Sequence, residues 1–201
     1  MAGIQIINIL LYALLWVSFG YLHSVLTRPS IKNRLPAHVR HGYRLAYNIV
    51  SAIHFLLVYL IGRALLDQSR FDLSLSNPAA FLYSLLSIGG VIVILLALRQ
   101  YDLGLFSGIS QLLKKNNPDG DVIEPLNTAG LNRWIRHPLY TGAFMYLWGG
   151  ANSQFGLWTA IFASAYLLIG VHYEERKLIA VYGDAYINYK ASVSKFLPLK
   201  F

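Results

Sequence analysis

The sequence predicts an all-α polytopic membrane protein with about five transmembrane helices, the last two a short hairpin, followed by a cytoplasmic C-terminal helix. Three observations carry this. The first is composition: 56% of the 201 residues are hydrophobic and 13% are charged, against roughly 25% charged residues in an average soluble chain. Mean hydropathy is +0.47, so too little polar surface exists to cover a soluble core. The second is that the apolar residues gather in four long blocks almost free of charge. The third is an alternation of Lys and Arg between the gaps that separate those blocks. Disorder, a coiled coil and a small disulfide scaffold are excluded by the same composition. The chain has no cysteine, which removes disulfides, thiolate metal sites and a cysteine nucleophile. A domain takes roughly 100–200 residues, so residues 1–201 read as one.

A bilayer core about 30 Å thick asks for about 20 apolar residues per spanning helix. Residues 4–26 carry no charge. Their uncharged start, their length and the lack of a small-residue cleavage site argue against a signal peptide. Residues 45–66 are apolar apart from Asn48, Ser51, His54 and Arg63, and residues 79–98 are uncharged. Residues 138–173 are also uncharged, but 36 residues are too many for one ordinary span. The run from Gly149 to Gly156 (GGANSQFG) is turn chemistry, because glycine tolerates positive φ and Asn and Ser bond locally. The last block therefore reads as two helices. The first, 138–149, rises about 18 Å at 1.5 Å per residue, too little to cross.

Short cytoplasmic loops are enriched in Lys and Arg. These residues number 0 before residue 4, 5 in 27–44, 2 in 63–78, 5 in 99–137, 0 in 149–156 and 5 from 174 onward. That pattern fits five segments in a bacterial inner membrane, with the N-terminus outside and the C-terminus in the cytoplasm. The net charge of +8 then lies beside anionic headgroups, making membrane lipids expected partners. Nucleic acid is not expected, because the basic residues flank spans instead of forming a stripe.

Two motifs carry chemistry. In Arg136-His137-Pro138-Leu139-Tyr140-Thr141-Gly142, Pro138 suits the first helical position. Arg136 and His137 then stand at a helix N-terminus, which attracts anions. Gly142 would let another backbone or a flat ligand approach closely. The second motif pairs Glu174 and Glu175, two of three glutamates in the chain, at the inner end of the last helix. If that helix continues, Glu175, Tyr182, Tyr186 and Tyr189 share one face. Interfacial tyrosines usually form an aromatic belt, yet an acid pair at their head gains nothing from anionic lipid. The acids would face Arg136 and His137 across the hairpin.

Further forward, Tyr12, Trp16, Phe19 and His23 share a face of the first helix, and Tyr47, Ser51 and His54 share one of the second. Polar residues at membrane depth normally face the bundle interior. Asp102 offers a further base or an arginine partner.

Together, RHPxYxG, a short hairpin and EExxLxxxYGxxYxxYxxxV resemble the signature of integral-membrane methyltransferases using S-adenosylmethionine. That group includes isoprenylcysteine carboxyl methyltransferases and phospholipid N-methyltransferases. The resemblance covers about 127–198, the expected cofactor-binding part. FGYLHS at 19–24, YRLAYN at 43–48 and LFSGISQL at 105–112 are similar to the NnrU-like and methanethiol S-methyltransferase-like branch. The resemblance implies that His137, Pro138, Leu139, Tyr140, Gly142, Tyr186 and Tyr189 line S-adenosylmethionine, with Glu174 or Glu175 near its amino group. A carboxylate suits an ammonium, a helix N-terminus with Arg136 suits a carboxylate, and tyrosine faces attract a sulfonium. No metal is called for. Arg136 and Glu175 are expected to take part in catalysis, with His23 a candidate base.

The implied reaction is in-line methyl transfer to a lipophilic or small membrane-permeable acceptor. A thiol is favoured, with a prenylcysteine carboxylate or a lipid amine as alternatives. A thiol must lose its proton, whereas a carboxylate need not. Two other classes compete. One is a b-type haem or quinone protein using His23, His54, His137 and His172. The other is a transporter or scaffold without chemistry, which five unequal segments without a repeat fit poorly.

Overall fold

The computed structural model describes residues 2–67, 77–113 and 125–198. Of the basic residues counted above, Arg70, Lys114, Lys115 and Lys200 lie outside this set. In chain order the helices are α1 (Ala2–Leu26), α2 (Pro29–Lys32), α3 (Ala37–Arg40), α4 (Tyr43–Leu65) and α5 (Asn77–Leu98). They continue with α6 (Leu103–Ser107), α7 (Ile109–Leu113), a 3-10 turn (Gly130–Arg133), α8 (Pro138–Gly149), α9 (Gln154–Tyr182) and α10 (Asp184–Ser192). Among the described residues there is no β-strand, only a parallel bridge between Ile135 and Ser194.

Four of these helices, α1, α4, α5 and α9, are long and apolar enough to cross a membrane. The remaining segment of the five expected is α8, whose 12 residues rise about 18 Å and fall short of a span of about 30 Å. Conversely, α9 has 29 residues and rises about 44 Å. Its last turns, which carry the charged run Glu174–Lys177, extend beyond what one bilayer core requires.

The chain divides into two compact units: Met1–Leu66 with Tyr101–Ile123, and Asp67–Gln100 with Glu124–Phe201. In the first, α1 and α4 meet through a buried aromatic seam of Tyr12, Trp16 and Phe19. Phe55 joins it, 6.0 Å from the Trp16 ring and 5.8 Å from the Phe19 ring. Polar side chains on these helices pair across the interface, as polar groups at membrane depth must. Ser51 Oγ lies 2.9 Å from His23 Nδ1, and Ser18 Oγ lies 3.2 Å from His54 Nε2. Asp102 caps α6, accepting from the Leu105 amide at 2.9 Å, so this aspartate serves a helix end.

In the second unit, α5 and α8 approach so closely that backbone meets backbone. A Cβ on Gly142 would lie 2.8 Å from the Gly90 oxygen and from the Ile94 nitrogen, and one on Gly90 would lie 2.4 Å from the Tyr146 nitrogen. Small residues permit this packing in a membrane, where dispersion between close helices replaces the hydrophobic drive. The close approach that Gly142 allows is thus to a neighbouring helix. The turn after α8 starts α9 with Ser153 as N-cap, its Oγ accepting from the Gly156 amide at 3.0 Å.

The long tyrosine-bearing helix does not continue past Tyr182. Gly183 adopts φ 55° and ψ −131°, a conformation that costs an L residue but not glycine. The chain therefore turns, and α10 begins anew at Asp184. Tyr186 and Tyr189 are both buried, yet not on one continuous face with Glu175.

Candidate functional site

The site forms where α8 begins, α9 ends and the chain returns after α10. Pro138 opens α8, which fixes Arg136 and His137 on the residues just before it. The segment 193–196 runs beside them as a strap. The Arg136 amide donates to the Ser194 carbonyl at 2.9 Å and the His137 amide to the Lys195 carbonyl at 3.2 Å. Thr141 Oγ1 is 2.9 Å from the Phe196 carbonyl, and the Phe196 ring packs against Phe144 and His137 at 5.2 Å and 6.2 Å.

Glu175 is the centre of this arrangement. Its side chain and that of Arg136 are each only 6% exposed. Oε1 accepts from Arg136 Nε at 3.2 Å and Nη2 at 2.9 Å, and lies 3.3 Å from His137 Nε2. Oε2 pairs with Lys190 Nζ at 3.2 Å and Lys195 Nζ at 3.4 Å. Arg136 Nη1 donates onward to the Lys190 carbonyl at 3.0 Å and to the Val193 carbonyl. Of the five N–H donors of a guanidinium, Arg136 thus commits four inside the protein. A buried charge is tolerated only when paired in this way, so Arg136 and Glu175 tie the strap to the helix ends.

Glu174 differs. Its Oε2 is buried without a hydrogen-bond partner and stands 3.8 Å from His137 Nδ1. Burial holds the His137 pKa below its ordinary value, against the raising influence of Glu174 and Glu175. The ring is therefore neutral near pH 7. The tautomer that donates from Nε2 to Glu175 leaves a lone pair on Nδ1. Two acceptors, the Nδ1 lone pair and Glu174 Oε2, then face one another with no donor between them. Tyr186 lies nearby. Burial first, and then the Glu175 charge, push its pKa up to about 12, so its hydroxyl stays protonated.

The expected residues distribute as follows. His137, Pro138, Glu174, Glu175 and Arg136 come together at one place. Tyr140 packs edge-on to His137 at 5.6 Å, with its hydroxyl directed toward Gly170 of α9. Leu139 is half-buried on the first turn of α8. Tyr189 donates to the Asn132 carbonyl at 2.6 Å, which secures the 3-10 turn. Gly142 packs on α5, and His23 belongs to the other unit. Nothing in the sequence singles out Lys190, Lys195, Asn132 or Thr141. By sequence both lysines read as markers of membrane orientation, and only the turn at Gly183 returns them to Glu175.

The described fold and this ion-paired site define a helical membrane protein with a histidine–carboxylate centre at the end of a hairpin. No family profile matches the chain and no solved structure matches it. Curated relatives do. The methanethiol S-methyltransferase of Pseudomonas deceptionensis is 30% identical over 196 residues, covering 94% of this chain and 72% of its own length. That of Mycobacterium tuberculosis is 28% identical over 184 residues, covering 90% and 74%. That of Crocosphaera subtropica is 28% identical over 188 residues, covering 90% and 71%. The chain belongs to the methanethiol S-methyltransferase family of membrane methyltransferases.

Proposed function

We propose that the protein transfers a methyl group from S-adenosylmethionine to a small thiol. The thiol is favoured over a prenylcysteine carboxylate or a lipid amine by the activity for which the relatives are named, methanethiol S-methylation. The observation that carries the donor is Glu174 Oε2, buried without a hydrogen-bond partner and 3.8 Å from His137 Nδ1. An ammonium supplies three N–H donors and no acceptor, so the amino end of S-adenosylmethionine fits this gap. When bound, that cofactor supplies a methyl carbon activated by a sulfonium sulfur.

The chain's own residues then divide the work. Glu174 takes the ammonium. Glu175 orients His137 by accepting from Nε2, which keeps Nδ1 free as an acceptor. Pro138, Leu139 and Tyr140 on the first turn of α8, with Tyr186, provide apolar and aromatic surface beside these groups, and tyrosine faces favour a cation. Arg136, anchored to Glu175 and the strap, acts through position. Alignment of the reacting atoms is the protein's main contribution to such a displacement. The thiol proton needs an acceptor. The Lys and Arg pattern supports an N-terminus outside and the C-terminus, with α10, in the cytoplasm.

The test uses the purified full chain with methyl-labelled S-adenosylmethionine and a panel of methanethiol, prenylcysteine and lipid extract. Label should enter the thiol. Label entering only the lipid or prenylcysteine, or no label transfer by folded protein, would overturn the reading.

A further inference from the structure

The segments 43–48 and 105–112 play no part in the site above, and the structure brings them into contact within the first unit. The α6–α7 turn sits directly on the start of α4. Gly108 takes φ 94°, and a Cβ there would lie 2.5 Å from the Leu45 nitrogen and 3.0 Å from Arg44 Cβ, so only glycine lets the turn seat this closely. Asn48 Nδ2 donates to the Ser107 carbonyl at 2.9 Å and to that of Phe106 at 3.3 Å. Gln111 Nε2 donates to the Leu105 carbonyl at 3.2 Å.

This well-bonded junction leaves two buried polar atoms without a partner: Arg44 Nε and Gln111 Oε1. One is a charged donor and the other a neutral acceptor whose amide is already oriented by its bond to Leu105. In the described part of this unit the acid is Asp102, whose Oδ1 is engaged as the α6 N-cap. Unmet buried polar groups are costly and rare in native proteins, and each calls for a partner. Arg44 is the second residue of the spanning helix α4, which places it at the level where lipid headgroups begin.

We infer that the α4–α6–α7 junction is a phospholipid headgroup site. The phosphodiester is recognised by Arg44, and the headgroup's own N–H or O–H donor is recognised by Gln111 Oε1. The required ligand combines an oxyanion with a neighbouring donor. Phosphatidylethanolamine has both. Phosphatidylcholine has the phosphodiester but, with three methyl groups on nitrogen, no donor. The two lipids carry the same net charge, so a difference between them is not generic attraction to a basic surface.

The experiment measures the melting midpoint of the full chain in non-phosphate detergent micelles. Dioleoyl phosphatidylethanolamine, dioleoyl phosphatidylcholine, free phosphoethanolamine or diacylglycerol is added to each sample. A ligand of the folded state raises the midpoint by mass action. Phosphatidylethanolamine should raise it more than phosphatidylcholine, and diacylglycerol should leave it unchanged. Gln111→Leu should erase the difference between the two lipids, and Arg44→Gln should remove the response to both. A response to free phosphoethanolamine equal to that of the lipid would assign the same site to a soluble ligand instead. Equal responses to both lipids in the wild type, or Arg44→Gln responding like the wild type, would overturn the inference. Melting in added lipid is read without S-adenosylmethionine, so failure here leaves the methyl-transfer reading intact.

Discussion

Arg136 and Arg44 occupy comparable places in the chain, each beside the start of a helix, and the structure treats them in opposite ways. Arg136 commits four N–H donors to Glu175, Lys190 and Val193. Arg44 has a buried Nε with no partner. The adjacent acids repeat the contrast within one helix. Glu175 contacts Arg136, His137, Lys190 and Lys195 through its two oxygens, while Glu174 keeps a buried oxygen unpaired. A charge whose bonding capacity is nearly all spent inside the protein is architecture, because little is left for a ligand. An unsaturated buried group is where a ligand is expected, since burial without a partner is costly.

The largest effect follows from this contrast. Glu175→Ala leaves Arg136 buried without its counter-ion, and breaking such a pair costs about 3–5 kcal/mol. Thermal melting of the purified chain should show a large loss of stability with or without ligand. A variant that melts like the wild type would remove Glu175 from the structural role.

Next comes Gly142→Ala. The added methyl meets backbone atoms of α5 at 2.8 Å, and overpacking of this kind costs about 1–3 kcal/mol. If Gly142 serves packing, the melting midpoint falls while the affinity for S-adenosylhomocysteine at low temperature stays near wild type. Weakened binding without destabilisation would return Gly142 to the ligand.

Glu174→Gln should do the reverse. Melting without ligand should change little, and the dissociation constant for S-adenosylhomocysteine, by calorimetry, should rise about tenfold, or about 1.4 kcal/mol. Unchanged affinity would reject Glu174 as the ammonium acceptor.

The smallest effect is a pH slope. Burial lowers the His137 pKa, so in the window below the ordinary value the unfolded chain binds a proton more readily than the folded one. Stability is complete above about pH 6.5 and declines as pH falls below it. Melting midpoints between pH 7 and pH 5 should fall more steeply for wild type than for His137→Gln. Parallel curves would mean that His137 is not held neutral.

Much of the fold follows from the sequence alone. Apolar blocks long enough for a bilayer produce α1, α4, α5 and α9, because a backbone in hydrocarbon must satisfy its own hydrogen bonds. The break between α8 and α9 is equally local, set by GGANSQFG and the Ser153 cap. The motif residues Arg136, His137, Glu174 and Glu175 could be named, since each belongs to a short contiguous word. Their division of labour could not. Whether a carboxylate is saturated depends on partners distant in sequence, and Lys190 and Lys195 reach Glu175 only because Gly183 turns the chain back. Gly142 likewise reads as open to either a ligand or a helix until α5 is placed against it. Sequence spacing sets which residues share an element, whereas burial and unmet hydrogen-bonding capacity are properties of the packed whole.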